Sequence, residues 1–389
     1  MSDGPVAGFS STVSKRPEAL FGAAGGNWAP PARMVRAEGC RVWDASGREY
    51  LDFIMALGAV ALGYGHPEVA HAAIDAIRAG VVGPLAPVLE EELAGDLRRL
   101  MPWLEQVRFL KSGAEACAAA VRLARVATGR DLVLGCGYHG WLDWCEGSAG
   151  VPAATRALFA ELPFNDLDGT RRLLDIAGDA IACVITEPIV VREPSAEWLE
   201  LLRTETERRG ALLIVDEIKT ACRIAVGGGT ERYGIRPDLV VLGKAIANGF
   251  PLAVVGGRRE VMAGVTRTWI SSTLATELVS LAAARATLAV VEREAVPARL
   301  GIVGGRLLDG FRRLQARYPR LLTGVGGVPE MCFLQFADEA VSRAVARGAA
   351  DRGLLFKRSA YNFVSLAHTE GQIDRALALL EEAVAAARP

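Results

Sequence analysis

The order of apolar and polar positions changes character twice along this chain. Residues 1–30 are rich in Gly, Ala, Ser and Pro without sustained periodicity, and predict an irregular arm. Apolar-rich residues 34–37 and 40–43 flank Glu38-Gly39, and Asp44-Ala-Ser-Gly47 leads into Tyr50-Leu-Asp-Phe53. That alternation predicts a small antiparallel strand-turn unit. Helical spacing follows over 66–78, and again over 90–100, where Leu89, Leu93, Leu97 and Leu100 recur on one face. From 106 the pattern switches to short apolar runs at 107–110, 131–134, 181–185, 211–215 and 239–242. Each is bounded by polar or Gly-containing segments, and Ala-rich or amphipathic stretches (113–128, 198–209, 274–294) are interspersed among them. Strands alternating with helices predict an α/β fold with a mostly parallel, helix-covered sheet. The tail mixes helices with short strands at 331–336 and 363–366, which predicts a smaller α+β domain. The expected divisions are 1–50 (arm and part of the small domain), 51–294 (large domain) and 295–389 (small domain).

Two of the buried runs end in groups of opposite charge. Residues 211–215 deliver Asp216, and residues 239–242 deliver Lys244 in a Gly-flanked turn. In open α/β sheets ligands bind at the carboxyl ends of the strands, so both groups are expected in one crevice. A lysine amine forms a Schiff base with an aldehyde cofactor. Pyridoxal 5'-phosphate further needs an acid beside its ring nitrogen. Lys244 and Asp216 suit these two tasks. Ser112-Gly113-Ala114, between a strand and a helix, suits the phosphate, because backbone N–H groups at a helix start hold anions. The same serine would also serve as an ordinary helix cap. Tyr138 supplies a ring that can stack on a flat heterocycle. Glu187 closes a third strand.

Composition narrows the partners. A net charge of -1 over 389 residues gives no basis for nucleic acid or an anionic membrane as partner. The first residues read as no secretory signal, and the apolar stretch 53–63 is short and Gly-broken, so a cytoplasmic protein is expected. The seven cysteines and four histidines show no metal-ligand spacing, so no metal is expected. Reduced thiols are the simplest reading.

The chain resembles the class-III, fold-type I pyridoxal-phosphate aminotransferases, and within them the glutamate-1-semialdehyde aminomutase branch. The resemblance covers about residues 33–375. It is carried by Val42-Trp-Asp-Ala-Ser-Gly-Arg-Glu-Tyr-Leu-Asp-Phe53, Gly65-His-Pro-Glu68, Val107-Arg-Phe-Leu-Lys-Ser-Gly-Ala-Glu-Ala116, Gly137-Tyr-His-Gly140 and Thr186-Glu-Pro188. The densest agreement is Val215-Asp-Glu-Ile218, Arg223-Ile-Ala-Val-Gly-Gly228, Tyr233-Gly-Ile-Arg-Pro-Asp-Leu239 and Leu242-Gly-Lys244. It implies that Lys244 carries the cofactor and later shuttles the proton, and that Asp216 pairs with the pyridinium. Ser112, Gly113 and Ala114 would cradle the phosphate. Tyr138 would stack on the ring with His139 beside it, and Glu187 would lie near the ring hydroxyl with Asn165 close by. Ser272-Thr273 matches the segment that reaches the phosphate from a neighbouring subunit, so a homodimer is implied.

The departures concern substrate more than cofactor. Ala114 stands where the family usually has Thr. Leu274 is followed by Ala275-Thr-Glu-Leu278 in place of Ser-Gly-Asn-Pro. The aminomutase arginine is absent from residues 17–21, ahead of Gly25-Gly26, and the aminomutase Glu is absent from 357–363. Ala56-Leu57-Gly58-Ala59 replaces Ser-Trp-Gly-Pro. The expected activity is therefore an aminotransferase of specialised metabolism moving an amino group from a donor to a carbonyl substrate. The alternatives are an intramolecular aminomutase and an amino-acid racemase. Arg192, just past Pro188, is the expected clamp for a donor carboxylate, with Arg358 the next candidate.

Overall fold

The computed structural model describes residues 5–23, 28–31 and 33–387, so Gly25-Gly26 lie outside it. Two compact units form, residues 1–66 with 298–389, and residues 67–297. The expected divisions fell at 50/51 and 294/295. Hydrogen bonding accounts for the difference at the first. Strand Glu49–Asp52 pairs with Arg41–Asp44 on one edge and Leu354–Leu355 on the other. Beyond it, Phe363 N donates to Phe53 O at 2.7 Å and Leu366 N to Ala61 O at 2.8 Å. Residues 51–66 are thereby tied into the smaller unit.

In the larger unit, seven strands lie in the order Gln106–Leu110, Ala253–Gly257, Leu239–Leu242, Leu212–Asp216, Ile181–Thr186, Leu132–Cys136, Phe159–Glu161. Neighbours are parallel from Leu239–Leu242 to Phe159–Glu161. Ala253–Gly257 alone is reversed, antiparallel to both of its neighbours. The apolar runs lack alternation because both faces are covered. Ile185 and Ile214 pack with Ala116, Ala120 and Leu123 of helix Gly113–Thr128 on one face. Val184, Leu213 and Val215 pack with Trp198 and Leu202 of helix Ala196–Arg209 on the other. Each such side chain contributes roughly 1.5–3 kcal/mol by leaving water. Six strands thus point one way, and their carboxyl ends bring Asp216, Glu187 and the start of helix Gly113–Thr128 to one edge. No helix among the described residues is long and apolar enough to cross a membrane.

The smaller unit holds a four-stranded sheet, Met34–Glu38, Arg41–Asp44, Glu49–Asp52 and Leu354–Leu355, and a three-stranded one, Leu322–Val328, Met331–Phe336 and Asn362–Phe363. The strand expected at 363–366 is cut short because Leu366 N bonds to Ala61 O instead. The arm is not wholly irregular. Pro17–Phe21 is helical, and Phe21 packs on Ala346 and Ala350. Met55, Ala56 and Leu57 take φ of 44°, 50° and 60°, three successive non-Gly residues in the left-handed region. Such a turn is costly and persists only where its surroundings impose it.

Candidate active site

Asp216 ends its strand 1% exposed, yet makes no direct ion pair with lysine or arginine among the described residues. Its Oδ2 accepts from His139 Nδ1 at 2.8 Å and from the Cys117 thiol at 3.3 Å. Its Oδ1 accepts from Ile218 N at 3.1 Å. A carboxylate only accepts, so Nδ1 of His139 carries the proton. His139 was expected beside the cofactor ring. It is 3% exposed, bonded to Asp216 and stacked on Trp144 at 6.2 Å between ring centroids. The next residue, Gly140, has φ 107° and lies against Ala114, where a Cβ would sit 2.5 Å from the Ala114 Cβ.

Lys244 follows the extended Gly243 in a short helical turn, with its own φ at 48°. Its amine makes no hydrogen bond or ion pair among the described residues. Burial is the largest influence and pushes it below 10.5, with the charge of Lys219 acting the same way, while Glu187 and Asp216 pull against them. Glu187, 7% exposed, is held from two sides: Lys219 Nζ lies 2.9 Å from Oε1, and Tyr138 N donates to Oε2 at 3.1 Å. Gly137 permits that approach, since a Cβ there would sit 2.6 Å from Glu187 Oε2.

Ser112 is the cap of helix Gly113–Thr128. Its Oγ accepts from Glu115 N at 3.3 Å, and Glu115 Oε2 accepts from Ser112 N at 2.8 Å. The cap role and the phosphate role are compatible, because the N–H groups of Gly113 and Ala114 have no acceptor within the helix. Lys111, Ser112, Gly113, Ala114, Tyr138, His139, Trp141, Glu187 and Lys244 line one cavity of about 330 Å³ in the larger unit.

Asp216 lies off that lining, reached through His139, and so do Thr273, Asn165, Arg192 and Arg358. Thr273, with Ser272, is exposed on the segment before helix Leu278–Arg293. Asn165, at φ 59°, accepts from Ser195 N at 2.8 Å and so pins the loop that carries Arg192. Arg192 itself is exposed on that loop. Arg358 is engaged within the smaller unit, 2.6 Å from Glu339 and 3.0 Å from Ser342 Oγ.

Sequence reasoning missed Cys117, Trp141 and the roles of Lys111 and Lys219. Lys111 pairs with Glu277 at 2.7 Å beside the phosphate cup. Burial pushes the Glu277 carboxyl up, but hydrogen bonds from Lys111 and Ser280 with the charge of Lys111 outweigh it, and the net shift is downward. One signal was available for Cys117: it lies four residues past Gly113, hence on the same helix face.

The donor set fits a phosphorylated pyridine aldehyde. A buried carboxylate held by uncharged donors suits a protonated ring nitrogen, a buried unpaired amine suits a carbonyl, and two open N–H groups suit a phosphate. A model of the family described as aminotransferase class-III matches residues 23–384. The chain belongs to the aminotransferase class-III family. It is 36% identical to the glutamate-1-semialdehyde 2,1-aminomutase of Neisseria gonorrhoeae, over 94% of this chain and 93% of that one. Among solved structures it is similar to the PLP internal aldimine form of the FumI protein of Sphingopyxis sp. MTA144. The two are 26% identical with a TM-score of 0.87, over 95% of this chain and 96% of that chain. It is likewise similar to a beta-phenylalanine aminotransferase of Variovorax paradoxus, 29% identical with a TM-score of 0.83, over 94% and 88%. This class-III chain is an enzyme with the α/β fold-type I architecture, and its cofactor is pyridoxal 5'-phosphate.

Proposed function

We propose that the protein is an aminotransferase that moves an amino group from a donor to a carbonyl substrate. The observation that carries this is the Lys244 residue sharing one cavity with the phosphate cup and with His139, whose Nδ1 is bonded to the Asp216 carboxylate. When bound, pyridoxal phosphate supplies an aldehyde that takes up an amine and a ring that absorbs electrons as a proton leaves the substrate. In this reading the Lys244 amine would hold that aldehyde and, once free, would serve as the base that takes and returns the substrate's proton. Asp216 holds a negative charge against the ring nitrogen, which matters most when the ring is electron-rich. Gly113 and Ala114 hold the phosphate through backbone N–H, and Lys111 adds a positive charge at that end. Glu187, paired with Lys219, would serve the ring hydroxyl, and Tyr138 would stack on the ring.

The remodelled positions support transfer between two substrates over rearrangement of one. No arginine occurs in residues 17–21, no Glu in 357–363, and Ala56-Leu57 replaces Ser-Trp. The aminomutase reading is favoured by a different observation, the names of the 36% identical relatives. An amino donor added alone separates them. A transaminase loses the visible absorbance of its bound cofactor and releases one equivalent of oxo product. Retained absorbance with an isomerised or racemised donor would defeat the transaminase reading. For the donor carboxylate we propose Arg192, which is exposed on the same unit while Arg358 is already paired. We also propose a cytoplasmic homodimer, in which Thr273 reaches the partner's phosphate.

A further inference from the structure

We propose that Cys117 is a positioning residue for Asp216: with His139 it fills one carboxylate oxygen and so reserves the other for the cofactor's ring nitrogen. A carboxylate offers about four acceptor sites, two on each oxygen. Both sites on Oδ2 are taken, by His139 Nδ1–H at 2.8 Å and by the Cys117 thiol at 3.3 Å. On Oδ1 one is taken, by Ile218 N–H at 3.1 Å. The single site left is on Oδ1, and a ring N–H fills it. Cys117, His139 and Asp216 are 0%, 3% and 1% exposed, which keeps bulk water from competing for these sites.

The thiol and the Ile218 N–H are neutral donors, so neither cancels the charge that Asp216 turns toward the ring. The thiol is kept protonated by its burial and by the Asp216 charge, both of which push it well above 9.0. Nε2 of His139 is buried with no hydrogen-bond partner. The covalent arrangement adds a mechanical link. Cys117 sits on helix Gly113–Thr128, one turn beyond Gly113. The element that opens the phosphate cup therefore also sets the direction of the carboxylate at the opposite end of the cofactor. Without the thiol, Oδ2 regains an empty acceptor site in a dry pocket, and the ring nitrogen divides itself between the two oxygens.

The test uses holoenzyme loaded with pyridoxal phosphate labelled with ¹⁵N in the ring. The ¹⁵N resonance and steady-state kinetics are measured for the wild type, Cys117→Ala, Cys117→Ser and Asp216→Asn. Cys117→Ala is expected to move the resonance away from the protonated-ring position. It should also lower kcat about tenfold, the lower end for a hydrogen bond to a charged group, with the donor KM unchanged. Cys117→Ser, which restores a donor, is expected to bring back both. Cys117→Val fills the space without donating and replaces the alanine variant if that fails to fold. An unmoved resonance in the non-donating variant overturns the proposal, as does a serine variant no better than alanine. The inference rests on Asp216 facing the ring nitrogen, and Asp216→Asn separates the two claims. No shift in Asp216→Asn defeats that assignment, whereas a shift there with none at Cys117 defeats only the role of the thiol.

Discussion

Burial holds the Lys244 amine below its ordinary 10.5, and its reactive form is the uncharged one. Capture of the cofactor aldehyde should therefore quicken as pH rises and reach half its maximal rate below pH 10.5. Borohydride reduction followed by peptide mapping should label Lys244 alone. Lys111 and Lys219 are held by Glu277 and Glu187, and a label on either would refute the assignment. Arg192 is the residue about which the cavity says least. Arg192→Lys keeps the charge and loses the planar fork. It should raise the donor KM by the equivalent of about 1–3 kcal/mol, a charged hydrogen bond, and leave the cofactor spectrum unchanged. Unaltered donor kinetics would rule the clamp out. Lys244, Asp216 and Glu187 were legible in the sequence because each follows a buried apolar run, and a polar group there points into a crevice. The contacts of Cys117 and His139 with Asp216 were not legible. Their meeting point is Asp216, 99 and 77 residues away in the chain, and spacing along a sequence carries no record of such a meeting.

Among the elements, the strand Leu239–Leu242 and the helix Gly113–Thr128 lie where the apolar pattern put them. Ala253–Gly257 and Leu322–Val328 were not anticipated, and glycine is the reason. The first ends in two glycines and the second contains three, and glycine weakens the strand signal. Tertiary contact requires them: a Cβ at Gly257 would run into the Asp238 carbonyl, and one at Gly327 into that of Met331. Phe159–Glu161 escaped notice as a three-residue edge strand. The turn Gly137–Gly140 gives the sharpest test at this scale. Gly140 has φ 107°, and a Cβ there would sit 2.5 Å from Ala114 Cβ. Gly140→Ala should cost about 1–3 kcal/mol of strain, read as a lower Tm. It should also weaken cofactor binding by equilibrium dialysis, because the push falls on the phosphate cup. A variant with wild-type Tm and affinity would show that the turn tolerates a side chain.

The larger unit exposes Leu85 at 83%, Trp269 at 81% and Leu274 at 52%, apolar side chains that the proposed homodimer would cover. Sedimentation should therefore give about twice the 41.3 kDa of one chain, and Trp269→Asp should shift the population toward single chains. A wild-type protein sedimenting as one chain at micromolar concentration would refute the homodimer. The reversed strand Ala253–Gly257 has a consequence for the order in which the molecule assembles. It joins Leu239–Leu242 directly through residues 243–252, the segment that carries Lys244. A hairpin closes quickly because little chain entropy is lost, whereas crossover-linked parallel strands form late. The lysine's own surroundings are thus local and early, while Asp216, Glu187 and His139 arrive only with long-range pairing. In refolding experiments the visible signal of bound cofactor should recover with the slowest phase, after far-ultraviolet dichroism has largely returned. The holoenzyme band would then act as a clock for the closing of the parallel sheet.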